Sequence, residues 1–266
     1  MAPLINALIQ FAVLVGSIYI IGFIISFINA SFYRIVGESN VTCHITGFIG
    51  TPIHELSHAL FCVIFFHKIE EIKLFQINSE DGTLGYVKHS YNRKNIYQVI
   101  GNFFIGVAPI LVGTFVLVLL MRYMVPNVFA SEMNVINSFL NNNVALDLSL
   151  YFGLALDVVK VFFTGASYGM WWVYLVLLLC IALHMNFSKP DFRGSLGALP
   201  FILLIYVIVN AALGYIFKSY YPAYINLIWT FYTYLIVMLF LSLLFSLFNL
   251  LIALIIRLIM RIVARR

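Results

Sequence analysis

Runs of about twenty apolar residues, separated by short polar stretches, recur along the whole chain and constrain its fold more than any motif does. A helix rises 1.5 Å per residue, so about 20 residues cross a hydrocarbon layer of about 30 Å. Six spans are expected, roughly Leu4 to Asn29, Thr46 to Phe66, Val99 to Tyr123, Gly169 to Met185, Leu196 to Phe217 and Ile225 to Ile255. In lipid every backbone N–H and C=O must find its partner inside the protein, which leaves helices or closed barrels, and spans this long are helices. Of 266 residues, 63% are hydrophobic and 9% charged, against about 25% charged in a soluble domain. The expected fold is an all-α polytopic membrane protein in a lipid bilayer. No repeat or second soluble domain is visible, so residues 1–266 read as one membrane domain with its core at roughly 44–195. The first apolar run has no Lys or Arg before it and is too long for a secretion-signal core, so it reads as a retained span.

The net charge of +5 follows membrane sidedness rather than nucleic acid, which is not an expected partner. With six spans the termini share a side. Placing that side in the cytoplasm gives the inner segments Lys68, Lys73, Lys88, Arg93, Lys94, Lys189, Arg193, Arg257, Arg261, Arg265 and Arg266, or 11 of the 15 basic residues. Arg34, directly after the first span, runs against this bias. The Arg-rich end reads as a positive-inside anchor.

The second span contains His54-Glu55-Leu56-Ser57-His58, an HExxH pattern. On a helix the two histidines lie one turn apart on one face, where both can reach one metal ion while Glu55 reaches a water on that ion. Zinc brings the pKa of such a water to about 7, and a carboxylate can then carry its proton to a leaving amine. In soluble helices HExxH often arises by chance. Inside a span, each charged group costs about 2.5 to 3.5 kcal/mol on insertion scales, so three ionisable groups in one turn call for an ion or a wet cavity. In the orientation above the site lies roughly 13 to 20 Å inside the cytoplasmic boundary. Pro52, Gly47 and Gly50 precede the motif and either bend the helix or pack closely.

A catalytic zinc site has three protein ligands and one open position. Asp191 is the leading candidate for the third: Asn186, Ser188, Pro190 and Gly194 around it favour turns, which predicts an unwound stretch that folds back toward the histidines. His184 is a rival, or a residue that contacts substrate or orients Asp191. Asp157 is a weaker rival, because Leu146 to Phe163, with Asp147, Asp157 and Lys160, reads as an interfacial amphipathic helix on the outer side. Cys43, Cys62 and Cys180 match no metal-pair spacing and read as bystanders. His44 and His67, near the ends of the span, read as interfacial polar residues.

HELSHA, the later Asp191 after a proline, and the order of elements over Gly50 to Gly194 together resemble the site-2 protease family of intramembrane zinc metalloproteases. The resemblance covers about half the chain. It implies one zinc per chain on His54, His58 and Asp191, Glu55 as catalytic base, a membrane-associated β-structure after the second helix, and a membrane-spanning or membrane-associated protein or peptide as substrate. Here Pro190-Asp191-Phe192-Arg193-Gly194 stands where the family usually has Leu-Asp-Gly, and no inserted PDZ or CBS-type domain is present.

The segment Glu70 to Tyr91 agrees on physical grounds: Ile72 to Ile77 and Leu84 to His89 are β-prone and flank the turn sequence Ser79-Glu80-Asp81-Gly82. A short cytoplasmic hairpin is expected, whose edge could pair with an unwound substrate. Gly101 to Gly113 carries small residues suited to close helix contact. Asn102, Asn186 and His184 are candidate helpers for a developing oxyanion. The competing reading is a noncatalytic metal-binding membrane protein, either a transporter or a partner-binding pseudoprotease. A transporter should show polar residues continuing across several spans or repeated halves, and few polar residues lie in these spans beyond the site.

Overall fold

A computed structural model describes residues 2–36, 40–77, 82–142 and 148–263. The chain runs α1 (Ala2–Val36), α2 (Asn40–Ile64), β1 (Lys68–Lys73), β2 (Tyr86–Ser90), α3 (Ile96–Met124), α4 (Pro126–Asn142), α5 (Leu148–Thr164), α6 (Gly169–Leu183), α7 (Lys189–Leu196), α8 (Leu199–Ala211) and α9 (Tyr221–Val263). Among the described residues five helical stretches are long and apolar enough to cross a membrane: Pro3–Val36, Ile96–Met124, Ser149–Ser167, Leu199–Ile216 and Tyr221–Ile262. They mark an integral membrane protein. Their outward residues, such as Ile20, Phe27, Leu204 and Leu227, are more than half exposed, as side chains that meet lipid must be.

Four of these stretches fall on expected spans. The fifth is the segment expected to lie at the interface, α5, which a 3₁₀ turn at Gly165–Ser167 prolongs and which by length and composition could also cross. Its two charges do not forbid a membrane position, because Asp157 and Lys160 sit one turn apart and pair at 2.8 Å. Asp147 lies outside the described residues. The HExxH helix α2 is 25 residues long but carries too many polar groups to stand among the five.

α6 explains how a helix of 15 residues can anchor the core. Trp171, Tyr174, Leu175, Leu178, Ile181 and Ala182 recur at helical spacing and are buried, with Trp171 and Tyr174 each 1% exposed. This face packs with Phe103, Val107 and Ile110 of α3 and Phe245 of α9. α2 packs against α3 and α6, α3 also holds α7, and α1 lies along α8 and α9.

The hairpin lies at the expected segment and β2 overlaps the β-prone run Leu84 to His89, but the first strand comes earlier than the run Ile72 to Ile77. β1 begins four residues before the expected Ile72, and pairs antiparallel with β2 from Lys68 opposite Ser90 to Lys73 opposite Tyr86, with a bulge between Ile69 and Glu71. Phe75 accounts for the shift. Its ring meets those of Phe48 and His44 edge-on, at 5.8 and 6.4 Å, which draws this segment off the ladder and onto α2. Gln76 maintains the pairing, its backbone N–H donating to Leu84 (2.7 Å) and its side chain to the Thr83 carbonyl (2.8 Å). The hairpin thus runs back along α2 from His67 to His44. The expected turn residues Ser79, Glu80 and Asp81 lie outside the described residues. On the exposed face the Tyr86 hydroxyl and the Lys88 ammonium hold the Glu71 carboxyl below its ordinary range.

Candidate metal centre

His54 and His58 share one face of α2, their ring centroids 4.9 Å apart and their Nε2 atoms 3.2 Å apart. The carboxylate of Asp191 completes the group, with Oδ2 3.8 Å from His58 Nε2, and the three ligand atoms all lie within 4.8 Å of one another. Two imidazoles bonded to one zinc at 2.0–2.1 Å place their nitrogens about 3.3 Å apart, so the spacing suits a metal ion.

The tautomers make the same point. His54 Nδ1 is 2.6 Å from the His184 carbonyl and His58 Nδ1 is 2.8 Å from that of Ile105. A carbonyl only accepts, so each Nδ1 carries the proton of a neutral imidazole and each Nε2 presents a lone pair. Two lone pairs and a carboxylate oxygen therefore converge with no proton between them, an arrangement that a cation stabilises. Clamping the far ring nitrogen on a carbonyl also fixes the ring, as the outer partners of metal-binding histidines do.

Both carbonyls are free for identifiable reasons. Residue 109 is a proline inside α3, so the i→i−4 donor that Ile105 would use is missing, and His58 supplies one from α2. The His184 carbonyl lies just past the end of α6, where helical partners run out. The irregular backbone between α6 and α7 is met from α1: Asn29 donates to the Ala182 carbonyl and to Asn186 Oδ1, both at 2.8 Å, and Ser26 Oγ accepts from Phe187 N–H at 2.9 Å. Non-helical backbone at membrane depth needs such partners.

Asp191 reaches the group from a different local structure than expected. It occupies the first turn of α7, not an unwound stretch. Ser188 caps the helix: its Oγ accepts from Asp191 N–H and Asp191 Oδ2 accepts from Ser188 N–H, each at 3.1 Å. Ser-x-Pro-Asp, which the sequence suggests as a turn, is a capping box with proline in the first helical turn. α7 is held close by Gly106 of α3, where a Cβ would stand 2.5 Å from the Asp191 carbonyl oxygen.

Glu55 is 6% exposed and lines an open cavity of about 250 Å³ together with His54, Gly85, His184 and Asn186. Gly85 permits the hairpin backbone to lie over it, since a Cβ there would come within 2.9 Å of Glu55 Cγ. His184 does not join the ligand group. Its ring faces Thr51 (3.3 Å), Thr46 and Tyr33 (3.2 Å each), and it packs against Gly50, so that glycine serves close approach. Asp157 is paired with Lys160 on α5, and Asn102 turns back onto the carbonyls of Gln98 and Val99 in its own helix. Asn186 alone of the two candidate helper asparagines lines the cavity.

A second group, which no local sequence pattern announces, brings Cys62, His67 and His89 together with ligand atoms within 4.8 Å. Cys62 is one helical turn past His58, a spacing visible in the sequence, but the bearing of His89 depends on strand register.

Comparison of the chain with protein-family models, curated proteins and solved structures returns no match. Fold and site alone therefore define its class: an integral membrane protein with a partly buried His–His–Asp group able to hold a metal ion.

Proposed function

We propose that the protein is an intramembrane zinc metalloendopeptidase, similar to site-2 proteases, that hydrolyses peptide bonds of membrane-spanning or membrane-associated proteins. The observation that carries this reading is the placement of Glu55 in a cavity beside three converging ligand atoms and beneath the hairpin backbone at Gly85. Zinc held by His54, His58 and Asp191 would supply a Lewis acid that acidifies water and stabilises the oxyanion. Glu55 takes a proton from the attacking water and delivers it to the amide nitrogen as the C–N bond breaks, leaving a carboxylate and an amine. His54 and His58 are held with Nε2 inward by the two carbonyls. Asn186 lines the same cavity, its amide held by the Leu183 carbonyl and Asn29. The hairpin segment offers backbone groups to a substrate strand, which exposes a scissile amide that a helix would hide. The distribution of basic residues supports cytoplasmic termini, with the hairpin entering from that side.

The test is Glu55→Gln, which preserves shape and ligands but removes the base. Cleavage of membrane substrates, found by comparing the proteomes of membranes that carry the wild-type protein or this variant, should fall about 10²–10⁴-fold with zinc content unchanged. If zinc-loaded wild-type protein and the variant leave the same membrane proteins intact, the protein binds metal without catalysing hydrolysis.

A further inference from the structure

The Cys62, His67 and His89 group stands on its own structural grounds. α2 ends in a two-bond cap: His67 N–H donates to the Cys62 carbonyl at 2.8 Å and Phe66 N–H to that of Val63 at 3.2 Å. This is a Schellman motif, whose left-handed residue is usually glycine. Here it is Phe66, with φ 55°, a conformation that costs a non-glycine residue about 1–2 kcal/mol. The strained residue is itself 74% exposed, whereas the next, His67, is turned inward and is 5% exposed. His67 is then fixed on three sides. Its Nε2–H donates to the Gln98 carbonyl at 2.8 Å, its ring stacks on Tyr91 with centroids 5.1 Å apart and planes 18° apart, and Gln98 is braced by its own bond to the Phe66 carbonyl at 2.7 Å.

With its proton committed at Nε2, His67 presents a lone pair from Nδ1, and His89 Nδ1 faces it at 3.0 Å. The Cys62 thiol, fully buried, closes the third side. The device is that of the first group: an imidazole clamped to a carbonyl at one nitrogen, with the other aimed at a second imidazole and an anionic ligand.

We infer that Cys62, His67 and His89 form a second metal site, which takes a zinc-class divalent ion through one thiolate and two imidazoles. Thiolate and imidazole are the donors that suit zinc, and three protein ligands leave one position for water. Such an ion ties β2 to the end of α2, and so fixes the hairpin relative to the helix that carries His54 and His58. The inference does not depend on the proteolytic reading.

Metal content and cobalt spectra of the purified full-length protein test it. Wild-type protein loaded with zinc should hold two ions per chain, and Cys62→Ser or His89→Ala one. Reconstituted with cobalt(II), the wild type should show a sulfur-to-cobalt charge-transfer band in the near ultraviolet that persists in His54→Ala and disappears in Cys62→Ser. His89→Ala, on a partly exposed strand position, provides a second variant should Cys62→Ser fold poorly. One ion per wild-type chain with no thiolate band, or a band that survives Cys62→Ser, would overturn the site and leave the His67–His89 contact as a hydrogen bond between rings.

Discussion

Two groups of metal-competent side chains lie along one helix, and they differ in how they are assembled. The first takes two of its members from adjacent turns of α2 and the third from α7, so its histidines are prearranged by helical pitch alone. The second takes one member from the last turn of α2, one from beyond a strained cap, and one from a strand 22 residues further on. Pitch is cheap and robust. A cap and a strand register must both be right before the second group exists, which makes it the more sensitive to local change and to the position of the hairpin.

The largest effect expected on this contrast comes from Asp191→Ala, which should empty the first group of metal while the cobalt–thiolate band of the second persists. Zinc retained with full affinity at the first group would exclude Asp191 as a ligand. Gly106→Val comes next: its Cβ would collide with the Asp191 carbonyl, so α7 must move away from α3, and metal affinity at the first group should fall by at least about 10-fold, as for other losses of supporting structure. Chelator competition measures it. Pro109→Ala restores a helical donor to the Ile105 carbonyl and dilutes its bond with His58; affinity at the first group should weaken by about 10-fold or less, without change at the second. The smallest effect is expected from Phe66→Gly, which relieves the left-handed cap and should raise thermal stability by about 1 kcal/mol or less, since the contact of the Phe66 ring with Tyr97 is lost as well. A clear loss of stability would show that the ring, rather than the backbone, matters at this cap.

What can be read from the sequence follows the range of the interactions involved. Apolar runs and HExxH are local patterns, so the membrane helices and the pair His54–His58 are legible. Asp191 is legible as a candidate from the residues around it, but its helix is not, because Ser188 and Pro190 favour both a turn and a helix start and only the reciprocal bonds with Asp191 decide between them. The hairpin is legible as an element and its second strand in place, while its first strand is displaced toward Lys68, with Phe75 packed on α2 instead of in the ladder. Cys62, His67 and His89 escape a sequence reading because nothing local joins them. α5 reads as interfacial because of Asp157 and Lys160, and what the sequence does not show is that the two charges pair with each other on one helix.

Pro109 carries a consequence beyond the bend expected of a proline. By removing one donor inside α3 it marks a single carbonyl, that of Ile105, as different from its neighbours on the same helix. Ile105 is buried between the helices, so its carbonyl needs a donor from a neighbouring helix, and the His58 ring is the one that arrives. Sliding α3 past α2 by a residue, or rotating it by one position, would leave both groups without partners at once. The proline therefore acts as an index mark that allows two otherwise slippery apolar helices to settle in one relative alignment.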